Sequence, residues 1–170
     1  LISRIHNSAT LRRMLARVGG EIVTPDQLIQ KYEDNLPLDL YNHPLLSRII
    51  KKLKAEVDLM NIVETKVCHG DIYRKNWLLS DENRLYLVDW DSAMLCDPAM
   101  DLSMLLCQYV PKDNWIDWLV HYDTELTEEL KTRIMWYALM NYLIQTKKHH
   151  SETRFHEMNK DIMMLQTLYQ

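Results

Sequence analysis

Two short apolar runs, Trp77-Leu78-Leu79-Ser80 and Leu85-Tyr86-Leu87-Val88, are separated only by Asp81-Glu82-Asn83-Arg84, residues of turn-forming chemistry. This pattern predicts a β-hairpin, and the hairpin constrains its surroundings. Upstream, Val67-Cys68-His69 reads as a short strand running into Gly70-Asp71. Asn76 follows Asp71 by five residues, and Asp89 follows Asn76 by thirteen, at the far end of the second apolar run. Folding the hairpin back brings Asp71, Asn76 and Asp89 to one edge. Two carboxylates and an amide carbonyl converging there form a hard-oxygen site suited to Mg²⁺.

The rest of the chain has helical periodicity. Leu1 and Ile5, then Leu11, Met14, Leu15 and Val18 after a break near Asn7-Ser8, recur at helical spacing, and Gly19-Gly20 is a stop. Thr24-Pro25 is a cap with proline at the first helical position, opening a helix expected to run to about Asn35. A long helix is expected from near Asn42 to Met60, with Leu46, Ile49, Ile50, Leu53 and Val57 as its apolar face. The character of the chain changes at Ile62. Beyond it, helices are expected over 98–109, 112–123, 127–148 and 152–169, with Pro111 dividing the first two. The fold class is mainly α with a small β-hairpin insertion (α+β), and polar residues cluster at that insertion.

Composition narrows the classes. A chain of 170 residues is long enough for one domain with a real core. Apolar residues at 47% and charged residues at 26% are the balance of a soluble globular protein. A net charge of −4 argues against a nucleic-acid partner, which calls for a basic excess. Cys68, Cys96 and Cys107 are odd in number, lack CxxC spacing and sit among apolar residues. They read as reduced, buried thiols of a cytoplasmic protein. No apolar run approaches the ~18 residues of a membrane span, and no signal-peptide pattern opens the chain, so no membrane association is expected.

The text CHGDIYRKNWLLSDENRLYLVDWDSAMLCDPAMDLS resembles the aminoglycoside phosphotransferase and choline kinase family, small-molecule relatives of the protein kinases. LISRIHNS at the start strengthens the likeness to its bacterial choline- and thiamine-kinase-like branch. The resemblance spans essentially the whole chain, with its specific motifs between His69 and Asp101. It implies the C-terminal lobe of a protein-kinase-like fold, with ATP as phosphoryl donor and Mg²⁺ as cofactor. Asp71 resembles the catalytic-loop aspartate that takes or orients the proton of the attacking hydroxyl. Asn76 and Asp89 resemble the Mg²⁺ ligands that also bind the nucleotide. His69 resembles the architectural histidine of the catalytic loop, and Asp101 the aspartate that holds that loop through backbone hydrogen bonds.

Two positions depart from the protein-kinase pattern. Tyr73 stands where those enzymes carry a lysine, so Arg74 or Lys75 is left as the candidate to face a phosphate. Asp91 replaces the glycine of the metal-binding motif and is a candidate to assist the metal or the substrate. Only eleven residues separate Asp89 from Asp101, too few for a peptide-docking segment, so a small-molecule hydroxyl acceptor is expected. The chain has 3 glycines, and no GxGxxG or β-rich stretch precedes its first helix. The resemblance therefore places Leu1 just after the lobe hinge. It makes the N-terminal kinase lobe of the same protein a required partner, and this piece alone is expected to be inactive.

Other readings compete. Taken singly, Asp71, Asn76 and Asp89 each fit a polar loop beside a solvated strand end; their joint spacing with His69-Gly70 and Asp101 favours function. A pseudokinase or regulatory scaffold would not need all three. A His/Asp metal hydrolase would need more histidines, and His6, His43 and His121 have no motif linking them to the site. Trp115, Trp118, Leu119 and Tyr122, like Trp136, Met140 and Leu143, fit core packing better than an aromatic acceptor wall. Asp113, Asp117, Asp123 and Glu125 fit a solvated helix face better than a pocket for a cation. Asp97 before Pro98 reads as a cap, and His149-His150 as surface.

Overall fold

In the computed structural model, which describes residues 1–60 and 64–170, the hairpin forms with Trp77 opposite Leu87, Leu78 opposite Tyr86 and Leu79 opposite Leu85. The elements run α1 (Ile2–His6), α2 (Ala9–Arg17), α3 (Pro25–Glu33), α4 (Leu38–Tyr41), α5 (Pro44–Glu56), β1 (Lys66–Cys68), β2 (Trp77–Leu79), β3 (Leu85–Leu87), β4 (Met94–Cys96), α6 (Ala99–Tyr109), α7 (Trp115–Tyr122), α8 (Glu128–Ser151) and α9 (Phe155–Tyr169). The mainly helical class expected from the sequence is what forms. Its β part, however, is two sheets rather than one hairpin: β1 pairs antiparallel with β4, and β2 with β3. The change of character expected at Ile62 lies outside the described residues. Among the described residues no helix is long and apolar enough to cross a membrane.

The backbone divides into two units, Leu1–Val23 with Glu64–Ile134, and Thr24–Val63 with Met135–Gln170. In the first, the break at Asn7-Ser8 is real. The Ser8 hydroxyl accepts from the Leu11 N–H and starts α2, and Gly19 at φ +78° follows its end. Glu21–Val23 then runs along β4: Leu95 N–H donates to Glu21 O at 2.9 Å, and Val23 N–H donates to Leu95 O at 2.8 Å. Helix α6 is apolar almost all round, and every residue from Ala99 to Leu106 is buried, Asp101 and Ser103 included.

In the second unit Thr24 and Gln27 form a reciprocal capping box, with Pro25 opening α3. The long helix expected from Asn42 is shorter: Pro44 sets its start, Glu56 its end, and a 3₁₀ turn covers Val57–Met60. Leu46, Ile49 and Leu53 are fully buried there, and the Trp136 indole N–H donates to Leu53 O at 3.1 Å. Trp136, Met140 and Leu143 are core, as expected. His149 and His150, expected on the surface, are partly buried and engaged. His149 Nδ1 lies 2.6 Å from Asp161 Oδ2, and His150 Nε2 lies 2.8 Å from Asp39 Oδ2. Helical spacing carries no information about such partners, which come from segments far away in sequence.

Candidate active site

The site grows from the end of β1. Gly70 follows His69 with φ +76°, and a Cβ there would stand 2.5 Å from the Ser92 carbonyl oxygen and 2.8 Å from Met94 Cε. Only glycine permits both that dihedral and that approach. The turn it makes delivers Asp71. Asn76, at the end of a short 3₁₀ turn, closes the loop: its Nδ2 donates to Asp71 O at 2.7 Å and to Asp71 Oδ2 at 3.0 Å. Lys75 Nζ stands 3.3 Å from the same Oδ2, with the lysine side chain 62% exposed, so solvent screens much of that attraction.

Asp101 underpins the loop. Its fully buried carboxylate accepts from His69 N–H at 2.7 Å through Oδ2 and from Gly70 N–H at 2.9 Å through Oδ1. His69 braces the other side. Its Nε2 donates to Val88 O at 3.0 Å while its Nδ1 accepts from Asp71 N–H at 3.2 Å, which fixes one tautomer. The ring also meets Trp90 edge-on, with centroids 4.8 Å apart. Val88 N–H donates to Asn76 O at 3.0 Å. Both backbone polar groups of Val88 are thus held by the loop, and the next residue, Asp89, is carried to its edge.

Asp89 adopts φ +65°, a left-handed conformation uncommon for a non-glycine residue. Such outliers cluster at functional sites, where the surrounding structure holds them in place. Its side chain is exposed, and among the described residues nothing hydrogen-bonds its carboxylate. With the Asn76 NH₂ group committed to Asp71, the Asn76 carbonyl oxygen and the Asp89 carboxylate are acceptor-only, hard-oxygen groups. That donor chemistry fits Mg²⁺.

Of the residues predicted from sequence, His69, Asp71, Lys75, Asn76 and Asp101 thus form one connected network, and Asp89 joins it through Val88. Asp91 and the Arg74 side chain are exposed and stand outside it; the Arg74 N–H donates to the Tyr109 hydroxyl at 3.0 Å. Asp97 acts at the start of α6, its Oδ1 accepting from Ala99 N–H at 2.9 Å. Burial pushes its carboxyl above the usual range, although Arg133 Nε lies 3.3 Å from Oδ2. Trp115 and Leu119 are core, Trp118 and Tyr122 are partly buried, and Asp113, Asp117, Asp123 and Glu125 are exposed.

His6, which no motif ties to the site, reaches it in space: it is buried, and its Nε2 lies 3.0 Å from Asp101 Oδ2. The signal was faint but present, since His6 shares the buried face of α1 with Ile2 and Ile5. Tyr109 was also missed; at the end of α6 it had only helical spacing to mark it.

The sequence pattern of a family described as "Phosphotransferase enzyme family" matches residues 5–137. Choline kinase LicA from Streptococcus pneumoniae is similar in structure, with a TM-score of 0.69 and 22% identity over 98% of this chain and 60% of its own. A choline/ethanolamine kinase family protein from Mesorhizobium loti gives 0.74 and 16%, over 98% and 58%. An aminoglycoside 2'-phosphotransferase-IIIa solved as a GDP complex gives 0.70 and 12%, over 98% and 58%. The chain therefore spans about 60% of the length of the solved proteins it resembles.

Proposed function

Because this chain belongs to the phosphotransferase enzyme family, we propose that it is the catalytic-loop lobe of an ATP- and Mg²⁺-dependent kinase that phosphorylates a hydroxyl of a small molecule. The single observation that carries this reading is the Asp71–Asn76 pair, knit to Asp101 below and to the backbone of Asp89's neighbour Val88 beside it.

Each residue then has a role. Asp71 Oδ2 is occupied by Asn76 and faced by Lys75, which leaves Oδ1 to accept the proton of the acceptor hydroxyl as its oxygen bonds the γ-phosphorus of ATP, the bridging P–O bond breaks and ADP departs. Lys75, exposed beside Asp71, meets negative charge arriving with the phosphates. Asn76 and Asp89 are the residues that would hold Mg²⁺, which when bound neutralises phosphate charge. Asp101, His69 and Gly70 keep the loop from relaxing, so that positioning and charge compensation supply the rate. Asp91, exposed two residues from Asp89, would assist the metal or bind substrate.

The acceptor is small: an amino alcohol, thiamine, a sugar or ribosyl compound, or an aminoglycoside. The support is the short path from Asp89 to Asp101, which holds one turn and β4 and no platform for a peptide. The partner proposed for this lobe is the N-terminal, nucleotide-clamping lobe of the same protein. The hairpin favours it: Leu78 with Tyr86 on one face, and Leu79 with Leu85 on the other, are all about half exposed or more, apolar area that calls for cover. Free Cys68, Cys96 and Cys107 suit the reducing cytoplasm.

The test is ADP release by the complete, two-lobed protein with MgATP against a panel of small hydroxyl compounds. Acceptor-dependent release supports the reading. Nucleotide binding without release to any acceptor would move the chain to a non-catalytic scaffold. This lobe alone should bind MgATP weakly, and tight binding by calorimetry would contradict the division of labour.

A further inference from the structure

His6 is only 3% exposed, yet both ring nitrogens are engaged. Nε2 lies 3.0 Å from Asp101 Oδ2, and Nδ1 lies 2.6 Å from the Tyr122 hydroxyl. The directions of these bonds follow from chemistry. An ionised carboxylate only accepts, so Nε2 carries the proton; in the neutral ring Nδ1 then accepts from the Tyr122 O–H. Asp101 in turn accepts from the His69 and Gly70 amides. A relay of hydrogen bonds thus links Tyr122 through His6 to Asp101, where donors from His6 and from the backbone that carries Asp71 converge.

Tyr122 is the last residue of α7. Its ring stacks on Trp118 at 6.0 Å and meets the His6 ring edge-on at 5.6 Å. Burial raises the pKa of its phenol, so the hydroxyl remains a donor at any working pH. Asp101 selects the Nε2-protonated tautomer, and the Tyr122 donor satisfies the lone pair that this tautomer leaves on Nδ1. Without that donor the buried Nδ1 has no partner, and Asp101 alone holds the ring in place.

We propose that Tyr122 is a positioning residue for the catalytic loop: through His6 it fixes the Asp101 carboxylate and with it the His69–Gly70 backbone. The proposal rests on the catalytic reading of Asp71 for its consequence, but not for its geometry. It ties the end of α7 to the reacting carboxylate, so a change in α7 is felt at Asp71 without touching it.

The test is Tyr122→Phe, which keeps the ring and removes only the hydroxyl. In this chain, amide exchange at His69 and Gly70 should quicken about tenfold, while the β2–β3 amides stay unchanged. In the complete enzyme kcat should fall about tenfold, with KM for nucleotide and acceptor within about twofold, as expected when a loop is misplaced rather than a binding group lost. In a His6→Gln background, whose amide can still donate to Asp101, Tyr122→Phe should cost nothing further. Unchanged exchange at His69 and Gly70, a change in KM alone, or full additivity in the double variant would overturn the relay. Should Tyr122→Phe fail to fold, ¹⁵N chemical shifts of His6 in the unaltered chain decide. The Nε2-protonated tautomer supports the relay and the Nδ1 tautomer contradicts it. The exchange and tautomer measurements need no turnover, so a wild-type enzyme inactive on every acceptor would sink the kinase reading and leave the relay decided separately.

Discussion

The Asn76 side chain reaches back across the loop to Asp71 and grips it twice, at the backbone carbonyl, 2.7 Å away, and at carboxylate Oδ2, 3.0 Å away. One amide therefore sets both the loop's curvature and the carboxylate's orientation, and its own carbonyl oxygen is an acceptor. In the complete enzyme Asn76→Ala should lower kcat about 100-fold and raise the Mg²⁺ concentration for half-maximal activity at least about tenfold. A metal titration with the wild-type midpoint would confine Asn76 to a structural role.

Gly70 and Gly19 share a positive φ but differ in what surrounds them. A methyl group at Gly70 would meet the Ser92 carbonyl at 2.5 Å, whereas none lies within 4 Å at Gly19. Gly70→Ala carries both backbone strain and a backbone clash and should cost about 2–4 kcal/mol. Gly19→Ala carries the strain alone and should cost about 1 kcal/mol. Urea unfolding of the two variants side by side separates the terms; equal losses would mean that the Ser92 contact relaxes freely.

Asp97 gives stability a dependence on pH. Its folded-state pKa is raised, chiefly by burial, with the Ala99 N–H and Arg133 opposing the shift. A raised acid contributes stability that is fully present below the unfolded value, about 3.9. That contribution is lost as pH climbs through the folded value. Asp97→Asn keeps the oxygen that accepts from Ala99 and cannot ionise. Its stability relative to wild type should therefore improve as pH rises across that window and then level off. Denaturant titrations from pH 4 to 8 check this, and a relative stability that worsens with rising pH would reverse the sign of the argument.

Helix starts were legible because their signals are local. Thr24-Pro25 announced α3, and the two apolar runs flanking the turn residues Asp81–Arg84 announced the hairpin. Strand β4 was not legible. It is three residues long, and Leu95 becomes a strand residue because Glu21 and Val23 bond its one edge and Val67 lies opposite on the other, partners far off in sequence. Helix α4, four residues between Pro37 and Pro44, reads as a loop for the same reason. The two close prolines also explain why α5 starts at Pro44 rather than near Asn42.

The site divides the same way. The spacing from His69 to Asp101 exposed the groups that touch one another along a short stretch of chain. His6 escaped because it reaches Asp101 from 95 residues before it, and Tyr122 because it meets His6 from the end of α7; no spacing rule connects a lone histidine to a distant carboxylate. The double grip of Asn76 on Asp71 was equally invisible, since residue type alone does not say which amide atom faces the carboxylate.

The most direct test of the central claim is Asp71→Asn in the complete enzyme. The variant retains an oxygen to accept from Asn76, so thermal unfolding and nucleotide binding should match wild type. It lacks the carboxylate that takes the proton, so acceptor-dependent ADP release should fall at least about 1,000-fold. Turnover at the wild-type rate in a folded Asp71→Asn enzyme would contradict the account.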